Sequence, residues 1–118
     1  MNADEAIAAL AALAQPTRME TFRLLVAHEP EGIASGDLAR RLAVPGNTMS
    51  THLAILARAG LVIREREGRV IRYRASLAGL RAVVLYLLQD CCSGHAELCA
   101  PLVAALSPCC PGGETTKP

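Results

Sequence analysis

The stretch Leu61-Val62-Ile63-Arg64-Glu65-Arg66-Glu67-Gly68-Arg69-Val70-Ile71-Arg72-Tyr73-Arg74 decides the fold. It reads as two strand-like runs around a Glu-Gly turn, with Ile71 and Tyr73 alternating against Val70, Arg72 and Arg74. Period two is the mark of a strand with two different faces. Two short helical patterns precede it. Ser35 is placed to cap the first, residues 36 to 42, with Leu38 and Leu42 inward. Val44-Pro45-Gly46 forms a tight turn, and the second helix starts at Gly46 or Asn47 and runs to about Ala59. Its apolar set is Met49, Leu53, Leu56 and Ala57, with Ile55 flanking, and Gly60 supplies a C-terminal stop. Two short helices, a tight turn and a basic hairpin make a winged helix-turn-helix. The expected fold class is mainly α with a small β-hairpin.

Working outward, residues 4 to 14 read as a helix with Ile7, Leu10, Ala11 and Ala14 on one stripe and Asn2 or Asp4 as cap. Pro16 interrupts it. Thr17 is then placed to cap a helix over roughly 18 to 27, with Met19, Phe22, Leu25 and Val26 as its core face. Pro30 and Gly32 end that helix, and Ile33 to Ser35 is a short entry. Beyond the hairpin, Ser76 caps a helix over about 77 to 89, with Leu77, Leu80, Val84, Leu87 and Leu88 apolar. Ser93-Gly94 breaks it, and Glu97 to Leu106 forms a last short helix. Residues 1 to 106 are expected to form one domain and 107 to 118 a flexible Cys/Pro/Gly tail.

The chain has 118 residues, enough for one domain with a modest core. It is 52% hydrophobic but only 3% aromatic, so the core must be aliphatic. The net charge of +1 hides an asymmetry: residues 58 to 81 carry seven arginines against two glutamates, a local +5. No charge-free apolar run is long enough for a transmembrane helix. Residues 1 to 14 lack the basic start of a secretory signal, so the expected compartment is the cytoplasm and no membrane partner is expected. No Cys-x-x-Cys and no phosphate-cradling glycine loop is present, which speaks against an enzyme.

The chemistry-bearing residues fall into two sets. The open positions of the second reading-unit helix are Asn47, Thr48, Ser50, Thr51 and His52, all suited to hydrogen bonding in a major groove. Read plainly, they are solvated helix residues, Thr48 only a cap and His52 a side chain buried beside the turn. The wing offers Arg64, Arg66, Arg69 and Arg72 to phosphates or a minor groove, while Glu65 and Glu67 weaken that attraction or orient neighbouring arginines. Double-stranded operator DNA is the expected partner. The second set is thiols. All five cysteines, Cys91, Cys92, Cys99, Cys109 and Cys110, lie after residue 90. In a reducing compartment such a cluster points to ligation or redox sensing rather than structural disulfides. Packing as small hydrophobes is the plainer alternative.

Ala14-Gln15-Pro16-Thr17-Arg18, Asp37-Leu38-Ala39, Thr48-Met49-Ser50-Thr51-His52-Leu53, Leu56 and Ala59-Gly60-Leu61-Val62 together resemble the ArsR/SmtB family of metal-responsive repressors. The likeness covers about residues 5 to 90. It implies a homodimer formed by the first and last helices, operator binding without inducer and release when metal binds. Thr51 departs from the basic residue that many members carry, which bears on operator preference. One group of the family places Cys-x-Cys just ahead of the Asp-Leu, where this chain has Ile33-Ala34-Ser35-Gly36-Asp37. Another uses Asp and His pairs on the dimer helix, but residues 77 to 89 contain neither. Cys91, Cys92 and Cys99 resemble the C-terminal trithiolate of arsenite-sensing members, which makes As(III) or Sb(III) the expected inducer, with no organic cofactor. Three sulfurs in a pyramid satisfy arsenite, whereas zinc prefers four ligands in a tetrahedron. On a continuous helix Cys92 and Cys99 would lie about 10 Å apart along the axis, so the chain must fold back near Ser93-Gly94 for one ion to reach both. Zinc or cadmium with His95 added, thiol oxidation, and a methylated arsenical engaging Cys109 or Cys110 stand as alternatives.

Overall fold

The computed structural model describes residues 1–89 together with residues 101 and 105. Met1–Tyr86 makes one compact unit, and Leu87–Pro118 belongs to a second. The elements run α1 (Ala3–Leu13), α2 (Pro16–Ala27), β1 (Ile33–Ala34), α3 (Ser35–Arg41), α4 (Gly46–Arg58), β2 (Val62–Glu67), β3 (Val70–Ala75) and α5 (Leu77–Leu88). The mainly α fold with a β-hairpin is as expected. The entry at Ile33 proves to be a third strand, giving an antiparallel sheet of order β1-β3-β2.

The caps explain the helix starts. Asn2 accepts from the Glu5 amide at 2.8 Å while the Glu5 carboxylate accepts from the Asn2 amide at 2.9 Å, a reciprocal box that satisfies two otherwise orphaned donors. For α2 the cap is Gln15, whose Oε1 accepts from the Arg18 amide at 2.8 Å, rather than Thr17; Pro16 then fits the first turn, where no amide donor is needed. Ser35 is already helical and makes no capping bond, so it is not the α3 cap. Ser76 does cap α5, accepting from the Gly79 amide at 3.0 Å.

The core lies where α2, α3, α4 and the base of the sheet meet. Leu25, Leu38, Met49, Leu53, Leu56 and Leu61 are fully buried there. The core face expected for α2 differs in part, and in α1 and α5 most of the bulky apolar residues lie outside the core. In α1 the inward residues are Ala6, Ala9 and Ala12, while Ile7 is 63% exposed and Leu10 39% exposed. Small side chains let the helix axis come close, so the bulky stripe turns outward. In α2 Met19 lies outside and Thr21 is buried. The Thr21 hydroxyl donates to Thr17 O at 2.7 Å, so its burial leaves no polar group unpaired. In α5 only Val83 is buried, Leu80 packs partly against the core, and Leu77, Val84 and Leu85 are exposed.

The start of α5 is held against the end of α4. Gly60, at φ +81°, follows the α4 C-cap, and a Cβ added at Gly79 would collide with the Gly60 carbonyl oxygen. The nearby Ser76 amide donates to Leu61 O at 2.8 Å. Glycine in a helix ordinarily costs about 1 kcal/mol against alanine. Here Gly79→Ala is expected to destabilise by about 1 to 3 kcal/mol, because the obstruction is backbone that cannot rotate away. Urea denaturation measures this; a midpoint at or above that of the parent would show that the joint opens freely.

Candidate nucleic-acid interface

The turn between α3 and α4 is closed by backbone bonds, Val44 N to Ala39 O at 2.9 Å and Ala43 N to Arg40 O at 3.2 Å, with Ala43 at φ +55°. That left-handed residue lets a very short connection redirect the chain. The α4 apolar stripe, Met49, Leu53 and Leu56, faces the core, which rotates Asn47, Thr48, Ser50, Thr51 and Ala54 to the outside. Asn47 Oδ1 accepts from the Thr48 amide at 2.9 Å inside the first turn, while the N-cap position is Pro45 and no side chain caps α4, so Thr48 is not its cap. The Thr51 hydroxyl donates to Asn47 O at 3.2 Å. Ser50 and Arg58 are exposed.

His52 sits at the border between the stripe and the open face and is half-buried. Its Nδ1 lies 3.4 Å from Arg18 Nη1. Burial, then the neighbouring guanidinium, hold its pKa below the ordinary 6.5. A second histidine closes the other end of the unit. His28 Nδ1 is 2.9 Å from Leu24 O and its Nε2 is 3.1 Å from Arg41 Nη1. A carbonyl only accepts and a guanidinium only donates, so these contacts fit the neutral His28 tautomer with its proton on Nδ1.

The wing has two chemically distinct faces. Register pairs Val62 with Ala75, Arg64 with Tyr73 and Arg66 with Ile71, so these six share one face. Its inner end is buried core, and its outer end carries Arg64 and Arg66 in the open. On the opposite face Glu65 stands against Arg72 and Glu67 against Val70, and diagonal ion pairs form. Arg72 Nε is 3.2 Å from Glu67 Oε1, and Arg74 Nη1 is 3.3 Å from Glu65 Oε2. Arg74 Nη2 also reaches Glu29 Oε1 at 2.9 Å, tying the wing to the loop after α2. Hydrogen bonds to Glu29, then to Glu65, raise the Arg74 pKa further. Arg72 Nη1 adds a bond to Gly32 O at 3.4 Å. The two glutamates therefore orient neighbouring arginines, one of the roles read for them above. Arg64 and Arg69 pair with no carboxylate among the described residues, and Arg66 Nε donates only to Gly68 O at 3.2 Å.

Sequence reasoning gave no tertiary role to Arg18 or Arg74, which reach His52 and Glu29, 34 and 45 residues away. Cys91, Cys92, His95, Cys99, Cys109 and Cys110 lie outside the described residues. Among the described residues no group of three metal-ligating side chains occurs, and no helix is long and apolar enough to cross a membrane.

An outward polar helix face beside an arginine-bearing hairpin defines a winged helix-turn-helix DNA-binding regulator. Residues 13–65 match the family model described as a helix-turn-helix domain. The chain is 32% identical to an ArsR-like transcriptional regulator from Rhodococcus sp. RHA1, covering 87% of this chain and 91% of that one with a TM-score of 0.67. A homodimeric winged helix-turn-helix DNA-binding domain from Mycobacterium bovis is 28% identical, covering 74% and 81% of the two chains, with a TM-score of 0.60. The transcriptional activator HlyU of Vibrio cholerae is 29% identical over 80% of this chain and 84% of its own. The chain belongs to the ArsR family of transcriptional regulators.

The His52 geometry carries a pH consequence. Its pKa is depressed in the folded state, so the unfolded chain binds the proton more readily. Stability from this residue is present above the unfolded value of about 6.5 and is lost as pH falls through the folded pKa. His52→Gln is expected to flatten the acid side of the stability profile, measured as the urea midpoint against pH. An unchanged slope would mean that His52 titrates as if free.

Proposed function

We propose that the chain is a homodimeric repressor that holds operator DNA with α4 and the wing and releases it when As(III) or Sb(III) is bound by Cys91, Cys92 and Cys99. The observation that carries this is the segregation of all five thiols beyond residue 90, clear of a DNA-reading unit that is complete without them. Three thiolates suit a soft, pyramidal acceptor. Asn47, Thr48, Ser50, Thr51 and His52 would meet the groove, and Arg64, Arg66 and Arg69 the phosphates. Arg72 would act mainly by stiffening the wing through Glu67. As an intracellular switch the protein would work in the cytoplasm, where the thiols stay reduced.

The exposed Ile7 and Leu10 of α1, and Leu77, Val84 and Leu85 of α5, supply apolar surface for the dimer. The Mycobacterium bovis neighbour is homodimeric by description, which supports the same assembly here. Because α5 rests on the end of α4 through Gly79 and Gly60, ligation beyond α5 has a physical route to the reading helices. Coupling of about 1 to 3 kcal/mol is typical of such switches. HlyU is named an activator, so the repressing sense is read from the thiol switch and the family resemblance.

Two experiments test the proposal. Fluorescence anisotropy on the chain's own upstream DNA, titrated with arsenite, antimonite, zinc and cadmium under reducing conditions, should show release by the first two. Cys91→Ser, Cys92→Ser and Cys99→Ser should each keep DNA binding and lose that release. Release by zinc or cadmium alone would move the site to four ligands including His95, and release only by oxidant or a methylated arsenical would replace the inducer. Separately, Leu85→Glu is expected to raise the dimer dissociation constant about tenfold or more, since a buried unpaired carboxylate is costly. Sedimentation equilibrium reads this directly; an unchanged constant would place the interface elsewhere.

A further inference from the structure

Arg18 is a half-buried guanidinium whose side-chain partners are all neutral. Its Nε donates to Ala12 O at 2.6 Å, at the end of α1, and its Nη1 lies 3.4 Å from His52 Nδ1 on α4. It has no carboxylate within ion-pair distance among the described residues. A guanidinium has five N–H donors and no acceptor. His52 Nδ1 must therefore be the accepting nitrogen, and the neutral ring carries its proton on Nε2. The depressed pKa of His52 agrees with a neutral ring. What this corner offers is donors only, the His52 Nε2–H and the N–H groups of Arg18 not used by Ala12 and His52, around one uncompensated positive charge.

The position matters as much as the chemistry. His52 lies one turn beyond Thr48, at the border between the buried stripe of α4 and its open face. When a helix enters a major groove, residues on its outermost face meet base edges, and residues on its flanks meet the sugar-phosphate strands that wall the groove. We propose that Arg18 and His52 together form a phosphate-binding notch at the flank of α4, taking one phosphodiester oxygen of the DNA backbone. The inference rests on the assignment of α4 as the groove helix. It gives His52 a positioning and anchoring role rather than a base-reading one. It also makes Arg18 the link by which the end of α1 and the reading helix share one DNA contact.

The test is a phosphate scan of a duplex chosen by selection from a random library, with single methylphosphonates placed in turn along each strand. The parent protein is expected to lose about tenfold in affinity at one phosphate in each half-site, the size of a lost charge-assisted hydrogen bond. His52→Leu should bind all duplexes about tenfold more weakly and lose its sensitivity at that phosphate alone. His52→Gln, whose amide can accept from Arg18 and still donate outward, should keep most of the affinity. Arg18→Gln should lower the slope of log affinity against log salt by about 0.9, the value of one released counterion. If Arg18→Gln does not fold, the His52→Leu scan decides alone. Retained sensitivity at that phosphate in His52→Leu would overturn the notch. So would a loss confined to particular base pairs, which would make His52 a base reader. Absence of binding to any selected duplex would instead remove the groove assignment of α4, and the notch with it.

Discussion

Burial of Met49, Leu53 and Leu56 against Leu25, Leu38 and Leu61 is the constraint on which the rest of this structure depends. Each fully buried aliphatic side chain contributes about 1.5 to 3 kcal/mol of transfer free energy. Together they fix the rotation of α4 about its own axis. A helix advances about 100° per residue, so a slip of one position would bring Ser50 or His52 into the core and leave a leucine in solvent. The polar set on the outer face is thus defined by what the inner face excludes. The same packing fixes where α4 ends, and so where Gly60 meets Gly79 and α5 begins.

What could be read in advance followed period and punctuation. The spacing of Met49, Leu53 and Leu56 located α4, and the alternation through Tyr73 located the wing and its turn. In α1 the apolar stripe legible in the sequence, through Ile7 and Leu10, is not the buried face. Ile7 and Leu10 outrank alanine on any hydropathy scale, yet Ala6, Ala9 and Ala12 are inside. Close approach of two helices selects for small volume, which a ranking by apolarity does not register. Thr21 was missed for a related reason. Its hydroxyl is satisfied by Thr17 O within its own helix, so a nominally polar residue behaves as core. Arg18 and Arg74 were not legible as tertiary clamps, because His52 and Glu29, which they reach, lie far along the chain and no local pattern announces the contacts. The thiols stood out in sequence, but they lie outside the described residues.

The two histidines illustrate how an arginine neighbour settles an ambiguity that sequence leaves open. Each ring touches a guanidinium through one nitrogen, Nε2 in His28 and Nδ1 in His52. The donor-only partner dictates which nitrogen is bare, and so which is protonated. His28 directs its N–H inward to Leu24 O and joins α2 to α3. His52 has its N–H on the nitrogen away from Arg18. Two residues of one type thereby fit opposite tautomers, one spent inside the protein and one with its N–H directed away from its arginine.

The ladder of Glu29, Glu65, Glu67, Arg72 and Arg74 has a consequence for the kinetics of encounter. A hairpin with seven exposed residues would normally sample many orientations, and closing on a duplex would first have to select among them. Here one face of the hairpin is cross-braced and tied to the body of the protein before any partner arrives. Conformational entropy that a floppy wing would lose on docking has already been lost on folding. The unbraced arginines at Arg64 and Arg69 then move as side chains on a fixed mount. Such a surface captures a polyanion through fast local rearrangement rather than by folding around it.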